Sequence, residues 1–183
     1  MATNEELKAL HSQLDALLNN TDLSDVSAES TGFQELPDGY YNCEVEKAEL
    51  KISKSSGQPM AAFQFKVSED GYNVEIDEKS TVHLTELKKT KNRKIFINYV
   101  LKNDTWVRRF VTDMLKFEGD TAGESLLPKE AFLSSETIED ALDILVGKRI
   151  YIQVSTTVND DDSKSTWNNL ISWKRAAALE LPM

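Results

Sequence analysis

GYYNCEVEKAELKISKSSGQPMAAFQFKV, residues 39–67, holds two runs of alternating character on either side of a turn rich in Lys and Ser that carries Gly57 and ends at Pro59. Side chains along a strand point to opposite faces in turn, so every second residue shares a face. In the first run Cys43, Val45 and Ala48 point inward with one slip in phase; in the second Phe63, Phe65 and Val67 repeat without a slip. The opposite face of the second run carries Met60, Ala62, Gln64 and Lys66, a mixed surface suited to meeting something flexible and polar. Residues 52–59 supply the turn chemistry of a long hairpin. The segment reads as a sheet edge joined to a basic loop.

Gly39, Tyr40 and Val45 in the first run, Lys51, Ser53, Lys54, Ser55 and Gly57 in the turn, and Met60, Phe63, Phe65 and Val67 in the second run together form a pattern. It resembles the opening hairpin of the phage-encoded OB-fold single-stranded DNA-binding proteins. The resemblance covers roughly a sixth of the chain. It implies an OB fold, sequence-independent binding of single-stranded DNA, and service in phage DNA replication and recombination beside replication or recombination proteins.

Size and composition bound the rest. A chain of 183 residues suffices for one well-cored domain and is short for two average ones. No apolar run reaches the length of a membrane span, and the opening MATNEELKALHSQ has neither the basic region nor the apolar core of a signal peptide. The expected location is the cytoplasm, that of the host cell for a phage-encoded protein. Cys43 is the single cysteine, which excludes an internal disulfide, and with the distant His11 and His83 it makes no zinc-ligand set. The sequence has no Gly-rich phosphate loop, no G-x-S-x-G elbow and no H-E-x-x-H. A non-enzymatic protein without metal or cofactor is the expectation.

The net charge of −10 at first opposes nucleic acid, because neutralisation of phosphates by Lys and Arg supplies most non-specific affinity. The distribution of the charge removes that objection. Residues 1–38 hold eight acids and one base, so the remainder is nearly neutral. Residues 86–116 hold nine bases and three acids, and residues 117–146 hold eight acids and one base. The body is electrically polarised and has a basic side to offer.

Leucines at 7, 10, 14, 17 and 18 predict a short amphipathic helix over residues 4–18, either docked on the body or serving as an arm for self-association. Residues 19–38 read as a polar, acidic linker. Residues 1–38 therefore form one unit, and 39–183 the nucleic-acid-binding domain. Strand patterns recur at 71–76, 81–84 and 95–100, with the basic run 88–94 as a loop or hairpin tip. Asn103 or Asp104 starts a helix with Trp106, Val107, Phe110, Val111, Met114 and Leu115 on its apolar face. An acidic helix follows over 135–146, then a strand around 150–154, an exposed loop at 158–165, and a last strand running from Trp167 to Trp173.

The predicted fold class is α+β, mainly β: a five-stranded OB-type barrel with a helical insertion before the last two strands and an N-terminal amphipathic helix. Another small α+β barrel, or a two-sheet sandwich with inserted helices, has a similar element order.

Single strands are held by a positive groove that tracks the backbone and by aromatic faces on which bases stack. In an OB fold the loops joining strands one to two and four to five contribute. Here these are residues 51–59, bringing Lys51 and Lys54, and 156–166, bringing Lys164 but also Asp160, Asp161 and Asp162, which repel phosphate. Lys88, Lys89, Lys91, Arg93 and Lys94 give the strongest electrostatic signal, joined by Lys66, Arg108, Arg109, Lys148 and Arg149. As loop lysines they also suit a merely solvated tip. Tyr72 and Tyr151 are the preferred stackers, with Trp167; Trp106 is assigned to core packing, as is one of Trp167 and Trp173.

Two rivals belong to other classes. An acidic inhibitor that imitates nucleic acid or blocks a host defence protein would account for the pI near 4.7 and the acidic helix, but not for the basic loop. A virion or assembly protein would use the leucine arm to multimerise. The chain ends in WKRAAALELPM, without the acidic tail that the resembled family often uses to recruit partners. If the acidic segment 1–38 takes that role, its deletion abolishes recruitment of replication proteins in a pull-down while leaving DNA binding intact; unchanged recruitment refutes the idea.

Overall fold

The computed structural model describes residues 3–21 and 35–183. Its elements are α1 (Asn4–Asn19), β1 (Gly39–Ile52), β2 (Pro59–Val67), β3 (Gly71–Ile76), β4 (Val82–Leu87), β5 (Lys94–Val100), α2 (Asp104–Met114), a short 3-10 turn (Lys129–Phe132), α3 (Ser135–Leu145), β6 (Arg149–Val158), β7 (Lys164–Ile171) and α4 (Trp173–Ala178). The chain divides into a unit ending at Glu35 and a unit from Leu36 to Met183. In the first, α1 opens on a capping box. The Thr3 side chain accepts the Glu6 N–H, and the Glu6 carboxylate accepts the Thr3 N–H at 2.7 Å. The linker expected over 19–38 falls mostly on residues 22–34, outside the described residues.

In the second unit seven antiparallel strands make one open sheet, ordered β4-β3-β1-β2-β5, with β6 beside β1 and β7 beside β6. This corrects the closed five-stranded barrel. Closure would need β5 to pair with β7, yet among the described residues β5 pairs only with β2, and β7 only with β6. The two extra strands are the β3–β4 hairpin, inserted between β2 and β5.

The slip in phase along β1 is a register shift against β2 between Val45 and Lys47. The extra residue lets Cys43, Val45 and Ala48 all face the main core, with Phe63, Phe65 and Val67 beside them. Helices α2 and α3 cover this inner face with Phe110, Met114, Ala141, Leu142 and Leu145. Edge-on and tilted ring contacts run from Phe63 to Tyr99 (5.8 Å), Phe110 (5.4 Å) and Phe132 (5.7 Å). A carboxylate is buried beside the core. Asp113 on α2 accepts the Tyr99 hydroxyl proton at 2.7 Å and pairs with Lys116 at 2.7 Å, and Lys116 also donates to the Leu170 carbonyl. Burial, reinforced by the Asp113 charge, pushes the Tyr99 hydroxyl well above its ordinary pKa.

A second, smaller core lies on the outer face. Tyr151 on β6 packs there with Ala176, Leu179 and Leu181, and with Tyr40, Tyr72, Val74, Leu84 and Ile171 around them. α4 and the residues after it thus cover one half of the outer face. The last strand stops at Ile171 because Ser172 caps α4, its side chain accepting the Arg175 N–H. Trp173 is therefore the first residue of a helix and does not share a strand face with Trp167, contrary to the strand expected to run as far as Trp173. On α2, Val107 is exposed and Trp106 half-buried outside the core; the buried residues of that helix are Phe110, Asp113 and Met114.

Two glycines let β1 and β3 approach at their single register pair, Tyr40 with Tyr72. A Cβ on Gly71 would stand 2.3 Å from the Tyr41 ring, and one on Gly39 2.8 Å from the Tyr72 carbonyl oxygen. Gly71→Ala is expected to cost about 1–3 kcal/mol by overpacking. Asp113→Ala, which strands the Tyr99 hydroxyl and leaves the Lys116 ammonium with the Leu170 carbonyl but no charge partner, is expected to cost about 2–4 kcal/mol. Both are read from the urea midpoint of unfolding; a shift equal to that of an exposed control such as Lys164→Ala would refute either account.

Candidate nucleic-acid interface

Strand alternation fixes what lies on the uncovered half of the outer face. Across β1, β2 and β5 the outward residues line up in register: Glu44, Lys66 and Lys94; then Lys47, Gln64 and Phe96; then Glu49, Ala62 and Asn98; then Lys51, Met60 and Val100. At about 3.3 Å per residue, the band from Lys94 to Val100 is roughly 20 Å long. Phe96 stands near its middle and is 62% exposed, while its neighbours Ile95 and Tyr99 are buried. A large apolar ring kept in water on a sheet face is a ready stacking platform.

Charge in the band is balanced locally. Lys94 pairs with Glu46 at 2.5 Å, Glu46 also accepts from Gln64 at 2.9 Å, and Glu49 lies 3.4 Å from both Lys47 and Lys51. Burial raises the Glu46 pKa, but hydrogen bonds from Lys94 and Gln64 with the charges of Lys94 and Lys66 outweigh it and hold the carboxyl below its usual range. Lys66 has no carboxylate within ion-pair distance among the described residues, so it contributes a net positive charge between β1 and β5.

The basic run expected as a loop or hairpin tip is the connection between β4 and β5, and it is built rather than loose. Lys89 and Asn92 take positive φ, and the Asp70 carboxylate accepts the N–H groups of Thr90 and Lys91 at 2.9 Å each. The Thr90 hydroxyl donates to the Leu87 carbonyl and accepts the Gly71 N–H, while Val67 exchanges backbone bonds with Asn92 and Arg93. The Lys91 N–H, opposed by burial and aided by Thr90 and Lys89, holds Asp70 below the usual carboxylate range. With its backbone fixed this way, the connection leaves Lys88, Lys89 and Lys91 exposed and without ion-pair partners among the described residues. They stand at the end of the band occupied by Lys66 and Lys94.

The other predicted residues separate into groups. Lys51 lies at the opposite end of the band and Lys54 in the turn beside it, where the Ser53 N–H donates to the Gln58 carbonyl. Arg108 and Arg109 are on α2, Arg108 paired with Asp104 at 2.8 Å. Arg149 opens β6 opposite Glu44, with 4.0 Å between their charged groups, and Lys148 precedes it. Lys164 and the exposed Asp160–Asp162 lie at the β6–β7 hairpin, where Asp161 is held by Ser163 at 2.5 Å.

Tyr72 and Tyr151 do not offer the free stacking faces expected of them. Tyr72, partly buried, packs against the small core under α4, and Tyr151 belongs to it; Tyr151 is 6% exposed, its hydroxyl donates to the Pro182 carbonyl, and burial pushes its pKa up to about 12. Trp167 is 50% exposed and donates to the Thr157 hydroxyl at 3.2 Å, on β7, separate from the β1–β2–β5 band. Phe96 is not among the residues that sequence pattern singles out, although it falls out of phase with Ile95, Ile97 and Tyr99 in a strand directly after five bases.

Among the described residues no group of three or more His, Cys, Asp or Glu is placed to hold a metal ion, and no helix is long and apolar enough to cross a membrane. No curated protein matches the chain. A family model does, over residues 19–180, and on that match the chain belongs to the family described as protein of unknown function (DUF669).

Proposed function

We propose that this protein binds single-stranded DNA, without sequence selectivity and without catalysis, along the outer face of β1, β2 and β5 and over the β4–β5 connection. The observation that carries the reading is Phe96, a solvent-facing ring flanked by Lys66 and Lys94 and followed by the exposed Lys88, Lys89 and Lys91. Bases stack on aromatic rings with about 1–3 kcal/mol each, and a fixed row of cations follows the phosphates.

The pairing order supports an OB-type reading of the open sheet. β1 lies between β2 and β6, β2 passes to β5, β6 passes to β7, and α2 and α3 fall between β5 and β6. On that reading β1, β2, β5, β6 and β7 take the five OB positions, and Phe96 sits on the third of them. OB domains use the face of their second and third strands for oligonucleotides. Service in phage DNA replication or recombination, in the host cytoplasm and beside replication or recombination proteins, is the role the hairpin resemblance suggests for such a binder.

The rival acidic-inhibitor reading draws on α3, where Glu136, Glu139, Asp140 and Asp143 are all exposed. One titration separates the two. Fluorescence anisotropy with labelled oligo-dT, set against a duplex of equal length over a salt series, is expected to show salt-dependent preference for the single strand. Changing Lys88, Lys89 and Lys91 together to Ala should lower the slope of log affinity against log salt by about 2. Phe96→Ala should weaken binding about tenfold with little change of slope. No binding to either nucleic acid at low salt overturns the proposal and favours a protein partner.

A further inference from the structure

Beyond the last register pair of the band, the chain turns from β5 into α2. The Leu101 N–H donates to the Pro59 carbonyl, tying this turn to the start of β2, and Asn103 caps α2 by accepting the Trp106 N–H. Over the Trp106 ring stand two cations, Lys102 with its ammonium 5.3 Å from the centroid and Arg109 with its guanidinium carbon at 5.4 Å. Trp106 is half-buried and takes no part in either hydrophobic core. Lys102 and Arg109 have no carboxylate within ion-pair distance among the described residues, whereas their neighbour Arg108 is paired with Asp104.

An indole of this size kept out of the core, with two uncompensated cations attracted to its π-cloud, has the parts of a single-strand contact. The indole is partly open to solvent, where a base could meet it, and the exposed flanking cations, drawn to the ring by about 0.5–2 kcal/mol and without an ion pair among the described residues, have donors that can turn to phosphate oxygens. It is the inverse of the arrangement at Phe96, where the neighbouring Lys94 is already engaged by Glu46. We infer that Lys102, Trp106 and Arg109 form a second nucleic-acid contact, at the end of the β5 band remote from the β4–β5 connection. This rests on the single-strand-binding reading above and extends it to a helix that no strand-face argument includes.

The test uses the full chain with Trp167 and Trp173 changed to Phe, so that Trp106 is the sole tryptophan, and oligo-dT as the probe. Binding is expected to quench its emission. Separately, Trp106→Leu is expected to weaken binding about tenfold. Lys102→Ala with Arg109→Ala, two exposed changes that leave the cores alone, is expected to lower the salt slope by about 1.4. Unchanged emission and an unchanged slope, with oligo-dT still bound in the anisotropy assay, would overturn this inference and leave the Phe96 face standing. Failure of the unaltered protein to bind oligo-dT at low salt would overturn both readings together.

Discussion

A β-strand has two hydrogen-bonding edges, and β1 serves three partners with them. Tyr40 pairs with both Tyr72 and Gln153, and Cys43 with both Val67 and Ile150, so β6 takes one edge while β3 and β2 divide the other. The division works because β1 is 14 residues long and because its register shifts against β2 between Val45 and Lys47. A bulge bends a strand and increases its twist, so the two halves of β1 can serve different neighbours. The main core, the small core under α4 and the uncovered outer band are all arranged around this strand.

The same division explains why the two halves of the outer face differ in character. Next to β6 and β3, the outward positions of β1 and its partners include Tyr40, Tyr72 and Tyr151, and α4 with the residues after it draws them into a core. Next to β2 and β5 the outward positions are mostly Lys, Glu, Gln and Asn, with Ala62, Met60 and Val100 toward one end and Phe96 as the large ring, and Phe96 stays exposed among the described residues. Aromatic content alone therefore does not mark a binding face. What matters is whether another segment of the chain has already claimed the rings.

Local pattern made most elements legible. The phase slip at Val45 to Ala48 follows from which residues are apolar, and the starts of α1, α2 and α3 follow from Thr3, Asn103 and Ser134 as capping residues. Facts about pairing were not legible. Whether β5 meets β7 depends on the position of strand ends rather than on composition, so element order alone overstates barrel closure. The fate of Tyr72 and Tyr151 depended on α4, whose six residues with three consecutive alanines give little helical periodicity to read in WKRAAALELPM. Phe96 is visible as a residue out of phase but is hidden by the run IFINYV, in which Asn98 alone breaks the apolar character of a buried strand.

The sharing of β1 also sets the timing of the protein's birth on the ribosome. Residues 39–44 pair with residues 149–154, more than a hundred positions downstream. At synthesis rates of about 5–20 residues per second, that edge of β1 waits about 5–20 s for its partner. During this interval the β1–β2 hairpin and the β5 strand are complete, while a row of backbone donors and acceptors beside Tyr41 and Cys43 stays open to other nascent chains. Of the six residues on that edge only Glu44 is charged, so the arrival of β6, rather than charge along β1, is what closes it.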